Sequence, residues 1–74
     1  MSLARAPLST SLRIRAVRHD GPVGVRLMEM GLIEGAIVQV LGRAPLGDPL
    51  RVRLGTCELS LRGSEAELVD IVRE

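Results

Sequence analysis

Two runs of alternating residues, separated by a single dipeptide, set the terms for the fold. Leu50-Arg51-Val52-Arg53-Leu54 and Cys57-Glu58-Leu59-Ser60-Leu61 both switch between apolar and polar at every step, and only Gly55-Thr56 lies between them. Side chains on a strand alternate between its two faces, so a period of two marks a strand with one face buried. A two-residue link containing glycine closes such strands into an antiparallel hairpin. The reading places Cys57, Leu59 and Leu61 on the inner face.

The same signature recurs upstream. Leu12-Arg13-Ile14-Arg15-Ala16 alternates again, which predicts a strand with Leu12, Ile14 and Ala16 inward and Arg13 and Arg15 in water. Ala36–Leu41 is an uncharged run rich in β-branched residues, long enough for a well-buried strand. Leu68–Val72 makes a last short strand. Between the first two strands, Asp20-Gly21-Pro22 reads as a helix start, with Asp20 or Gly21 at the cap and Pro22 in the first turn. Val23, Leu27 and Met30 follow at helical spacing and predict an inward stripe. Gly31 ends this helix in the left-handed conformation, and Gly35 supplies a second turn. Ser64-Glu65-Ala66-Glu67 fits a capping box at the head of a single helical turn. Met1–Ser11 holds Pro7 and a Ser9-Thr10-Ser11 cluster and reads as an irregular lead-in, with one domain over residues 12–74.

Five short strands in a chain of 74 residues cannot make a large open sheet. They must curl and pack on themselves, so the expected fold is mainly β, a small barrel with one short helix after the first strand. Its core is aliphatic, because the chain contains no Phe, Tyr or Trp. That absence removes two function classes. Single-stranded nucleic acid is held by stacking bases on aromatic rings, and polyproline peptides dock in aromatic-lined grooves. A net charge of +1 is also far from the basic footprint of a nucleic-acid binder.

Chemistry-bearing residues are few. There is one His and one Cys, so no nucleophile–base pair is apparent and no intramolecular disulfide can form. A single cysteine fits a reducing cytoplasm. No segment reaches the roughly 20 apolar residues of a membrane-spanning helix, and the N-terminus lacks the apolar run of a secretory signal. His19, Asp20 and Cys57 are the only plausible metal ligands, and they lack tight spacing; a site shared between two copies would ask only one or two ligands of each. No glycine-rich phosphate loop appears. All ten basic residues are Arg. Arg13, Arg15 and Arg18, and separately Arg51 and Arg53, sit at strand spacing and predict a solvated outer face or a patch for an acidic partner.

The segment Ala44-Pro45-Leu46-Gly47-Asp48-Pro49 is stiff and places Leu46 at a loop tip. Two readings of Leu46 stand: a plug for one end of the barrel, or an exposed contact anchor. Met28 and Leu32, off the inward stripe of the helix, carry the same two readings.

The ordered set of these segments resembles a known family. Arg26-Leu27-Met28-Glu29-Met30-Gly31-Leu32-Ile33-Glu34-Gly35 is similar to a helix ending in "LxELGL" followed by "xxG". Arg43-Ala44-Pro45-Leu46-Gly47-Asp48-Pro49-Leu50 is similar to an "APLGDP" loop, and Leu59-Ser60-Leu61-Arg62 with Glu65-Ala66 to an "LALR…EA" ending. The family is FeoA, ferrous iron transport protein A, and the resemblance runs from about Leu12 to Val72. One departure is the first turn, where Leu8-Ser9-Thr10-Ser11 runs into Leu12 without the family's "PG". The resemblance implies an SH3-like β-barrel and a non-enzymatic cytoplasmic accessory protein. It would bind the GTPase portion of the membrane iron transporter FeoB and need no cofactor. Met28, Leu32, Arg43, Pro45, Leu46, Asp48 and Pro49 would form the contact. The competing reading is a small dimeric protein that responds to Fe(II) or Zn(II) through His19 and Cys57.

Overall fold

The computed structural model describes residues 1–18 and 21–74. It contains β1 (Leu12–Val17), α1 (Pro22–Glu29), β2 (Ile37–Arg43), β3 (Leu50–Leu54), β4 (Cys57–Leu61), α2 (Gly63–Ala66) and β5 (Val69–Arg73). The strands form one antiparallel sheet in the order β4-β3-β2-β1-β5. Each consecutive pair from β1 to β4 therefore lies side by side, and β5 returns to the free side of β1. Among the described residues no helix is long and apolar enough to cross a membrane.

The alternation forecast along β3 holds, with Leu50 and Val52 buried and the arginines exposed. Elsewhere the regular pattern breaks at identifiable points. In β1 the register with β5 jumps between Ile14 and Ala16. This bulge shifts the phase by one residue, so Ala16 is exposed and Val17 takes the inward position. The uncharged run Ala36–Leu41 predicts a well-buried strand, but β2 is buried at alternate positions. Only Val38 and Val40 are buried, and Ile37 is 37% exposed, because the core lies on one side of the sheet. In β4, Leu61 is buried and Leu59 half-buried, but Cys57 is exposed. It sits beside the hairpin turn, where the sheet runs past the core, and its neighbour Leu54 across the ladder is only half-buried.

α1 begins with Gly21 at the cap and Pro22 in the first turn, while Asp20 lies outside the described residues. Leu27 and Gly24 face the core. Val23 is half-buried, and Met30 is not inward but 38% exposed, because the helix has ended by then. The short α2 is capped two residues earlier than the sequence suggested, by Arg62 rather than Ser64. Glu65, not Glu67, reaches back, and its Oε1 accepts from the Arg62 backbone N–H at 2.8 Å.

The first eleven residues contribute more than an irregular approach. Leu3–Arg5 forms a 3₁₀ turn, and both Leu3 and Ala6 are buried in the core. Met1 O accepts from Ile71 N–H at 2.8 Å, and Ser2 bridges to Asp70, so the chain start lies along the outer edge of β5. Further on, Leu8 bridges to Val40 and Ser9 N–H donates to Val40 O at 2.8 Å.

Candidate functional site

The loop between β2 and β3 is fixed at several points. Ala44 N–H donates to Pro49 O at 3.1 Å across its base, and Gly47 N–H to Ala44 O at 2.7 Å inside it. Gly47 has φ +88, a value glycine adopts without strain. Asp48 Oδ1 accepts from Gly63 N–H at 2.7 Å, which ties the loop to the start of α2. Arg43 Nη2 donates to Ala4 O at 3.0 Å and to Ala6 O at 2.9 Å, so the loop's root holds the N-terminal 3₁₀ turn. Leu46 stands at the tip, 96% exposed. It does not plug the barrel end; every hydrogen bond of the loop leaves it in solvent.

Beside the loop, Arg26, Asp48, Pro49, Ser60, Arg62 and Glu65 line an open polar cleft. Arg26 Nη2 pairs with Glu65 Oε2 at 2.7 Å. The backbone N–H of Arg62 and the guanidinium of Arg26 hold the Glu65 carboxyl below its ordinary value, against the opposing effect of burial. A carboxylate of depressed pKa stabilises the fold above the unfolded-state value of 4.5 and loses that stabilisation as pH falls through the folded one. Urea midpoints are therefore expected to drop between pH 6 and pH 3. Glu65→Gln should flatten part of that drop and cost about 1 kcal/mol at neutral pH. An unchanged pH profile in the variant would assign the loss to other groups.

The structure divides the residues expected to act together. Met28 is 38% exposed, but it lines a different cleft, with Ala16, Val17, Ile33 and Glu34. Arg26 and Met28 are two positions apart on α1, a rotation of about 200°, so they flank opposite sides of the helix. Leu32 is fully buried beneath the turn that ends α1 and cannot touch a partner. Ile33, the next residue, is 49% exposed in its place. The surface near the loop is thus Pro45, Leu46 and Pro49, fixed from below by Arg43 and Asp48, with Met28 and Ile33 on a separate flank. Arg26, Arg62 and Glu65 belong to the loop's surroundings but were not singled out in the sequence. Their only signals were the capping pattern around Glu65 and their places in the family-like motifs, because the fold brings them to the loop from distant positions.

Of the expected metal ligands, His19 lies outside the described residues. Cys57 is exposed on β4. Among the described residues no three His, Cys, Asp or Glu side chains converge on one point.

An antiparallel five-stranded sheet around an aliphatic core, with anchored loops on its rim, defines a small SH3-like domain. The model of the FeoA domain matches residues 1–73. The chain belongs to the FeoA family. Among solved structures it is similar to the Stenotrophomonas maltophilia FeoA complexed with zinc, with a TM-score of 0.86 and 33% identity, covering 97% of this chain and 89% of that one. The Chlorobium tepidum FeoA protein gives 0.89 and 34%, covering 99% and 70%. Iron(II) transport protein A from Clostridium thermocellum gives 0.92 and 30%, covering 99% of this chain but 45% of that one, so this chain spans less than half of its length. No curated protein matches the sequence significantly.

Proposed function

We propose that this chain is a cytoplasmic accessory protein of ferrous iron uptake, which binds the GTPase portion of the membrane transporter FeoB and modulates it. Membership of the FeoA family supports the process. The S. maltophilia relative was described as a prokaryotic SH3-domain protein and proposed to act as a bacterial ferrous iron transport activating factor. The observation that carries the contact is Leu46, a leucine almost wholly in water on a loop with a fixed backbone. Burying such a side chain gains about 1.5–3 kcal/mol. A preformed loop gives up little freedom on binding. Pro45 and Pro49 flank the anchor. Arg43 and Asp48 are spent on holding the loop and act as positioning residues. Met28 offers a second, separate contact.

Binding of the purified cytoplasmic portion of FeoB by isothermal titration tests this reading. Leu46→Asp should weaken binding by about thirtyfold, the scale of a single interface anchor, with no change in melting temperature. GTP turnover, measured alongside, should lose its dependence on the added protein. Equal binding by wild type and variant would remove the loop from the contact.

The zinc in the S. maltophilia structure belongs to that protein. Here Cys57 presents one exposed thiol, and the other expected ligand, His19, lies outside the described residues.

A further inference from the structure

Every sheet of this kind has edges to protect, and here the protection is uneven. Along β5 the outer edge is covered by Met1 and Ser2, and β2 receives Leu8 and Ser9 beyond its pairing with β1. Among the described residues nothing pairs with the outer edge of β4. β4 also lacks the devices that blunt an edge. It contains no Pro and no Lys, and all five of its pairs with β3 run in register without a bulge. Its one charge, Glu58, lies 3.7 Å from both Arg51 and Arg53.

The hairpin fixes which backbone groups point outward. Leu54 and Cys57 flank a two-residue turn, so they exchange ladder hydrogen bonds, as do Val52 with Leu59 and Leu50 with Leu61. Glu58 and Ser60 therefore direct their N–H and C=O groups away from β3. Any strand added at this edge must bond to those two residues.

We propose that β4 pairs with β4 of a second copy, antiparallel and two-fold symmetric about Leu59. In this register Glu58 bonds to Ser60 of the other copy, and Ser60 to Glu58, which satisfies all four outward groups on each strand. Leu59 meets Leu59, and Cys57 meets Leu61, so the apolar row of one β4 continues into the other. The neighbouring registers fail on observed grounds. Centring on Glu58 sets like charges directly opposite. Centring on Ser60 calls on the Arg62 backbone, whose N–H is already bonded to Glu65 Oε1 and whose carbonyl accepts from Glu65 and Ala66. The pairing is isologous and closes at two copies. Ser60 also lines the cleft beside the Leu46 loop, but the pairing does not depend on the transporter reading.

The Leu59 pair in this register is a non-hydrogen-bonded pair, with Cα atoms about 4.5 Å apart, within disulfide reach. The test is a Cys57→Ser, Leu59→Cys chain treated with diamide, which takes up the two thiol hydrogens as the disulfide forms. A covalent dimer should form about tenfold faster than in wild type, since pairing raises the local thiol concentration and Cys57 is four residues out of line with its counterpart. Ser60→Pro removes an outward N–H without touching the β3 ladder and should abolish the acceleration, with circular dichroism reporting the fold. Equal rates, or a rate indifferent to Ser60→Pro, would overturn the proposal. In the unaltered protein, hydrogen exchange at the Glu58 and Ser60 amides should slow severalfold as concentration rises; exchange independent of concentration would overturn it without any variant.

Discussion

Leu3→Ala is expected to lower the unfolding free energy by about 2–5 kcal/mol, as for other fully buried leucines. Leu3 is fully buried, and Ala6 beside it is 2% exposed. Domains of this size hold a total stability on the order of 4–11 kcal/mol, so the substitution removes a large share of it. Leu3→Asp would bury a charge without a partner and should leave the chain unfolded at 25 °C. The effect should also reach the binding loop, because Arg43 holds the carbonyls of Ala4 and Ala6. Guanidinium denaturation of wild type and Leu3→Ala measures it. A loss below about 0.5 kcal/mol, the scale of a surface substitution, would show that the N-terminal turn is not part of the cooperative core.

Gly31→Val should cost about 2–4 kcal/mol, by combining left-handed strain with crowding. Gly31 has φ +103. It completes a Schellman ending of α1: its N–H donates to Met28 O at 3.0 Å, and Leu32 N–H to Leu27 O at 3.1 Å. That geometry carries Leu32 back into the core beside Leu27, both fully buried. A Cβ at Gly31 would sit 3.0 Å from Leu54 Cδ2. Gly35 provides the comparison, with φ +91 and open space around it. Gly35→Ala should therefore cost only about 1 kcal/mol, from strain alone. Thermal melts of the two variants separate the contributions, and equal losses would mean that Leu54 simply moves aside.

The parts of the fold that were legible in the sequence are those set by near neighbours. The β3–β4 hairpin follows from strict alternation around Gly55-Thr56, and the end of α1 from Gly31. The misjudged positions share a different cause. Ala16 turned outward because β5, more than fifty residues away, pairs with β1 through a bulge. Cys57 has the right parity for burial, yet the core does not extend to the hairpin tip. Leu3 carries no periodic signal, since one turn of 3₁₀ helix is too short to show one. Around the loop, Leu46 could be picked out as unusual, but whether it plugged the barrel or faced solvent was not written in its neighbours. Leu32 is buried and Ile33 exposed because the left-handed Gly31 before them decides which side chain turns inward.

By itself, the sequence determined the strand and helix content, the aliphatic core and the absence of any aromatic recognition surface. Those properties depend on local periodicity and composition. The tertiary structure alone decided that Leu46 is free, that Met28 and the loop lie on opposite flanks of α1, and that β4 keeps an open edge. Each of these rests on contacts between residues far apart in the chain: Asp48 with Gly63, Arg43 with Ala6, Met1 with Ile71. Such contacts are set by how the sheet curls and where the chain start is laid along it, and no window of neighbouring residues encodes them.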